Sequence, residues 1–309
     1  MREDSLALID LGSNTVRLVI YSIPGEGGLE ERFNSVKKIG ENRKFLGLWS
    51  QRLGDTLTEE GFQQLTATLL EQKRQAQEAG CSHVFCFATA SLRGLSHQVM
   101  GRLSRQTGLS VRLLSQEEET QCDCESLRLF SSGQSQALGC DIGGGSGQLF
   151  AYREQQRFGI SLPLGSLRLA SQWVMGKLPT QREAARLQEY LDQQLLAVPF
   201  LSAPYPCLYA MGGSARAAKT LACAIGLWRE EMSSQLPLSL LDSLQDRLFC
   251  PDGESLLSCF LPERIRTFPV GLMVLRAVAR QADVSVICPL KNGVREGVLW
   301  TLLQGTEFV

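Results

Sequence analysis

Two stretches of this chain set an aspartate beside a turn of small residues, a combination that can hold a cation next to an anion. The first, Leu6 to Tyr21 (LALIDLGSNTVRLVIY), runs an apolar strand into Asp10 and turns on Gly12, Ser13, Asn14 and Thr15. The other, Leu138 to Tyr152 (LGCDIGGGSGQLFAY), reaches Asp141 and turns on Gly143, Gly144, Gly145 and Ser146. Glycines permit so tight a reversal. Successive backbone N–H groups in such a turn make an anion-binding concavity, and the adjacent carboxylate suits a hard cation. A plainer role is open to either aspartate, that of capping its own turn through backbone N–H groups. The order strand, Asp, apolar residue, Gly, small polar turn, strand recurs about 130 residues apart. That repetition predicts two related halves, each with a phosphate loop, and a cleft between them.

The elements that must position these loops alternate between strand and helix. Leu29 to Ile39 is expected to add a third strand to the first hairpin. Thr58 caps a helix carrying Phe62, Leu65, Leu69 and Leu70 at helical spacing, and Gly80 ends it. Strands are predicted at Cys81–Ala88 and Val111–Leu114, with a helix over Gln98–Thr107 between them and another beginning at Glu117. In the other half the pattern predicts helices over Gln181–Leu196, Ala215–Leu227, Leu238–Phe249, Leu256–Phe260, Val270–Ala282 and Gly293–Leu303. Strands are predicted there over Cys207–Met211 and Val284–Cys288. Such alternation is the mark of an α/β protein.

Composition narrows the function classes. A net charge of −1 lacks the basic footprint of a nucleic-acid binder. No apolar run reaches membrane-spanning length. With only His83 and His97, a zinc–histidine site or a Ser–His triad lacks material. The ten cysteines are scattered, without C-x-x-C spacing, and read as reduced thiols. With no signal-peptide pattern at the N-terminus, the expected compartment is the cytoplasm.

The two loops resemble those of the sugar kinase, Hsp70 and actin superfamily and, more narrowly, those of the exopolyphosphatase/guanosine pentaphosphate phosphatase (Ppx/GppA) family. FATASLRG (Phe87 to Gly94), LLSQEEET (Leu113 to Thr120), SLPLGSLRL (Ser161 to Leu169), AMGGSARA (Ala210 to Ala217) and GVREG (Gly293 to Gly297) follow in the family's order. The resemblance implies two actin-like (ribonuclease H-like) domains with an interdomain cleft. The expected division is 1–122 and 123–309, with helix 298–309 packing back on the first domain and no HD-type C-terminal extension. It implies a hydrolase releasing terminal phosphate from inorganic polyphosphate or from guanosine pentaphosphate (pppGpp), the latter tied to the stringent response. Mg²⁺ is the implied cofactor, with K⁺ a second candidate, and a homodimer is a candidate assembly.

The same resemblance assigns residues. Glu119 falls where the family has its catalytic base, although acidic residues in a first helical turn also simply suit the helix dipole. Arg93 matches the motif arginine, a fork suited to phosphate oxygens where a surface salt bridge is the bland alternative. Asp141 is the favoured Mg²⁺ anchor and Asp10 its mirrored partner. Gly212, Gly213 and Ser214 match the segment that meets adenosine in superfamily ATPases, with Ser214 otherwise a helix cap. Arg295 matches a family position and could pair with Glu296. Three departures stand out: Gln116 for a glycine, Thr120 for an alanine, and Gln148 where the family carries a glutamate. The last keeps a second reading open, a polyphosphate or pppGpp sensor with little turnover. An actin-like ATPase or sugar kinase is a third.

Overall fold

The apolar stretches before and after each aspartate turn do fold back on one another, and the two hairpins organise one sheet each. A computed structural model describes residues 4–90, 92–131, 133–229 and 233–305. Ser91 of the TASLRG segment, Ser132 of the predicted polar turn before the second hairpin, and residues 306–309 lie outside them. Residues 4–119 with 298–305 form one compact unit, and 120–297 form the other.

In the first unit β1 (Asp4–Leu11) and β2 (Thr15–Ile23) are followed by α1 (Leu29–Asn34) and β3 (Lys37–Phe45). The short strands β4 (Arg52–Leu53) and β5 (Thr56–Leu57) lead to α2 (Glu59–Glu78), β6 (His83–Ala88), α3 (His97–Thr107) and β7 (Val111–Leu113). The sheet runs β3-β2-β1-β6-β7, antiparallel through β1 and parallel beyond it. Thr58 does cap α2, accepting the Gly61 N–H at 3.0 Å. The strand expected at Leu29–Ile39 begins instead as a helix. Glu30 and Glu31 suit its first turn, and Phe33 is buried edge-to-face on Trp300 at 5.4 Å.

Helix α4 (Gln116–Phe130) starts in the first unit and continues in the second. There β8 (Gln136–Ile142), β9 (Gly147–Arg153) and β10 (Gln156–Leu162) form a meander, followed by α5 (Ser166–Trp173) and α6 (Gln181–Leu196). Next come β11 (Leu208–Gly212), α7 (Gly213–Ala224), β12 (Leu236–Pro237), α8 (Leu238–Leu248) and α9 (Gly253–Phe260). The chain continues through α10 (Thr267–Gln281), β13 (Val286–Pro289) and α11 (Val294–Leu303). The sheet order, β10-β9-β8-β11-β13-β12, repeats the first sheet with one short strand added. Registers repeat as well. Leu11 faces Val16 and Asp10 faces Arg17, while Ile142 faces Gly147 and Asp141 faces Gln148. β10 lacks a turn signal in sequence because the reversal before it uses Glu154, at φ 54°, where a glycine is usual.

The core of the second unit centres on α10, which is buried from Thr267 to Ala279 and apolar on nearly all sides. Its one charged buried residue, Arg276, donates from Nε to Asp242 Oδ1 at 2.7 Å. α4 and α11 meet at Gly297, where a Cβ would lie 2.0 Å from the carbonyl oxygen of Cys122. Gly297→Ala should therefore destabilise the fold by about 1–3 kcal/mol, as overpacking does. A denaturant midpoint equal to wild type would contradict this close backbone approach.

Candidate functional site

Each loop is closed by the same bond, Gly12 N–H to the Thr15 carbonyl at 3.0 Å and Gly143 N–H to the Ser146 carbonyl at 3.0 Å. Two further carbonyls of each loop are engaged by the scaffold. Ser13 accepts from Trp49 N–H at 3.0 Å, and Asn14 accepts from Leu46 and Gly47 at 2.9 and 3.0 Å. In the second loop Gly143 accepts from Ser166 N–H at 2.9 Å, and Gly144 accepts from Leu167 and Arg168, each at 3.0 Å. These three donors open α5, which has no side-chain cap; the loop carbonyls satisfy them instead. Among the described residues the N–H groups of Ser13, Asn14, Gly144, Gly145 and Ser146 donate no hydrogen bond. Each loop thus presents amide donors, the arrangement an anion requires.

Gly165 explains why SLPLGSLRL belongs to this site. A Cβ there would lie 2.3 Å from the Gly145 carbonyl carbon and 2.4 Å from both the Gly144 oxygen and the Ser146 nitrogen. Its φ of −65° and ψ of 134° suit any residue, so the glycine is needed only for contact with the loop.

The three glutamates opening α4 separate by role. Glu118 forms a capping box with Ser115: Glu118 N–H donates to Ser115 Oγ at 3.1 Å, and Ser115 N–H donates to Glu118 Oε2 at 2.6 Å. Arg112 donates to its other oxygen at 2.6 Å. Glu117 is exposed, its carboxyl held below the usual range by its own backbone N–H and the Ser115 hydroxyl. Glu119 alone is buried, at 7% exposure, and is ion-paired with Arg93. The Arg93 carbonyl is in turn held by Arg52 Nη1 at 2.8 Å. Thr120, unusual beside the family pattern, sits in the space Gly159 leaves on β10.

Asp10 and Asp141 each lie one residue before the end of a strand, beside a buried thiol. Burial pushes Cys86 and Cys140 up, and the neighbouring Asp10 and Asp141 carboxylates push them further. Asp141 lies in a glycine cradle: a Cβ at Gly212 would come 2.6 Å from Oδ1, and one at Gly293 would come 3.4 Å from Oδ2. Gly212, at φ 81°, turns the chain from β11 into α7. It is also the N-cap there; Ser214 lies inside the first turn, buried against Gly271, and does not cap. Arg295 lies 3.9 Å from Glu296, whose Oε2 accepts the Gly293 N–H at 2.8 Å.

Two residues escaped the sequence reading. Asp123 is 1% exposed and one turn beyond Glu119 on α4, a spacing that could have flagged it. The Arg264 guanidinium lies over Gly213, so close that a Cβ there would be 2.4 Å from it; no local pattern announces that approach.

Repeated sheets with a meander at one edge, each carrying a phosphate-type loop, define an actin-like protein of two units. The Ppx/GppA phosphatase family model matches residues 32–305, and the chain belongs to that family. Exopolyphosphatase 1 of Mycobacterium tuberculosis (strain H37Rv) is 30% identical over 197 residues, which are 62% of this chain and 55% of that protein. The Mycobacterium leprae counterpart is 30% identical over 62% and 56% of the two chains. The chain thus spans about half the length of the curated relatives it matches. A solved Aquifex aeolicus Ppx/GppA family member superposes with a TM-score of 0.79 at 20% identity, over 99% of this chain and 100% of that one. An exopolyphosphatase from Cytophaga hutchinsonii gives 0.81 at 18% identity, over 98% and 99%. These two likenesses establish the fold. No described helix is long and apolar enough to cross a membrane.

Because the methyl of Gly165→Ala must displace residues 144–146, this variant should shift their amide resonances while keeping the secondary structure. Unchanged amide shifts for Gly144, Gly145 and Ser146 would contradict the contact.

Proposed function

We propose that this chain is a phosphohydrolase that removes the terminal orthophosphate of inorganic polyphosphate, with pppGpp as a second substrate of the same chemistry. The observation that carries the reading is that each unit presents an amide loop, and the first also holds a buried carboxylate, Glu119, against a guanidinium. The names of the mycobacterial relatives and the family support polyphosphate as the first substrate.

The amides of residues 13–14 and 144–146 would bind phosphate oxygens, and Arg93 would transfer part of its charge from Glu119 to the arriving phosphate. Glu119 then accepts a proton from water as the water oxygen bonds to the terminal phosphorus. The bond from that phosphorus to the bridging oxygen breaks, giving orthophosphate and a chain one unit shorter. Asp141 would hold Mg²⁺ in the second unit, as a hard oxygen donor whose carboxylate is approached by Gly212 and Gly293, residues without side chains. Asp10 is the corresponding carboxylate of the first unit. When bound, the ion would neutralise charge on the phosphate oxygens.

A reading of binding without turnover draws on Gln148, which sets an amide opposite Asp141. Orthophosphate release from medium-chain polyphosphate and from pppGpp with Mg²⁺ separates the two readings. Glu119→Gln should cut release by about 100-fold or more, the scale of a general base. Asp141→Asn should raise the Mg²⁺ needed for half-maximal release about tenfold or more. Equal release by wild type and Glu119→Gln would overturn the assignment of Glu119. Tight binding without release by wild type would favour the sensor.

A further inference from the structure

Gln148 is 1% exposed, in the middle of three adjacent strands, opposite Asp141 on β8 and Ser161 on β10. Its Nε2 donates to Ser146 Oγ at 2.9 Å and to Ser161 Oγ at 3.1 Å. A primary amide nitrogen carries two hydrogens, and these two bonds use both. Each serine therefore accepts, and each keeps its own hydroxyl hydrogen to give elsewhere. Ser146 belongs to the second glycine loop, where it also presents a backbone N–H.

We propose that Gln148 is a positioning residue that fixes the Ser146 hydroxyl as a hydrogen-bond donor to a substrate phosphate. The proposal rests on the reading of residues 143–146 as a phosphate loop. An ionised carboxylate at 148 could only accept, and would draw the hydroxyl hydrogens of both serines toward itself. The glutamine thus reverses the polarity of the contact and leaves the hydroxyl hydrogen of Ser146, a residue only 6% exposed, to be donated to a ligand. It adds a side-chain hydroxyl to the backbone amides as a phosphate donor at the loop, in place of a second carboxylate beside Asp141.

A buried glutamine that only completed the packing of the sheet would leave ligand affinity alone, so the test is a double-mutant cycle on binding. Tripolyphosphate affinity is measured by titration calorimetry for wild type, Ser146→Ala, Gln148→Met and the double variant. KM and kcat for polyphosphate hydrolysis are measured on the same preparations. Each single variant should bind tripolyphosphate about tenfold more weakly, the value of one hydrogen bond to a charged group. The double variant should be no weaker than the singles, since both remove one donor. KM should rise by a similar factor while kcat stays within about twofold. Wild-type affinity in Gln148→Met, or losses that multiply in the double variant, overturns the proposal while the phosphohydrolase reading stands. Ser146→Ala removes only a hydroxyl, so unchanged affinity in that variant overturns it even if Gln148→Met fails to fold. A wild type that neither binds tripolyphosphate nor releases phosphate overturns both the loop reading and the proposal.

Discussion

The site depends on where the loop carbonyls go. In a turn of small residues, backbone N–H and C=O groups compete to face outward, and only one set can serve an anion. Here the carbonyls of Ser13, Asn14, Gly143 and Gly144 are engaged by Trp49, Leu46, Gly47 and the first three residues of α5. That engagement leaves the N–H groups of Ser13, Asn14, Gly144, Gly145 and Ser146 as the unbonded set. It also accounts for segments distant in sequence: the 46–49 loop supports the first turn, and Gly165 with the start of α5 supports the other. Orienting the donors before a ligand arrives removes the reorganisation that water or a mobile loop would require.

Charge is distributed with similar economy. Of three adjacent glutamates, one caps a helix, one is solvated and one is buried against Arg93. A buried carboxylate is tolerated only with a partner, and the partner here is a group suited to phosphate. In the proposed reaction the arriving phosphate therefore relieves the same pairing that keeps Glu119 in place at rest. The second unit makes the complementary choice at Gln148, where both N–H groups of a neutral amide are hydrogen-bonded without adding charge beside Asp141.

Much of this was legible in the sequence because it depends on local order. The strand–Asp–x–Gly–turn pattern occurs twice, and the hairpins close in identical register, Leu11 on Val16 and Ile142 on Gly147. The capping box at Ser115–Glu118 is an S-x-x-E signature, and that spacing alone distinguishes Glu118 from Glu119. β10 is not legible in sequence, since its turn uses Glu154 in place of a glycine, and α1 fits a strand pattern because its short apolar set suits either period. The identity of Gln148 was visible, but its bonds to Ser146 and Ser161 arise from strand register. The approach of Arg264 to Gly213 likewise arises from packing alone.

The central claim, that the unbonded amides of the two loops receive phosphate oxygens, is tested most directly by following backbone amide resonances while tripolyphosphate is added. The account predicts saturable downfield shifts for Ser13, Asn14, Gly144, Gly145 and Ser146, with smaller changes at Gly12 and Gly143, whose N–H groups are already bonded. Saturable shifts confined to other residues, with these five amides unmoved, would contradict it.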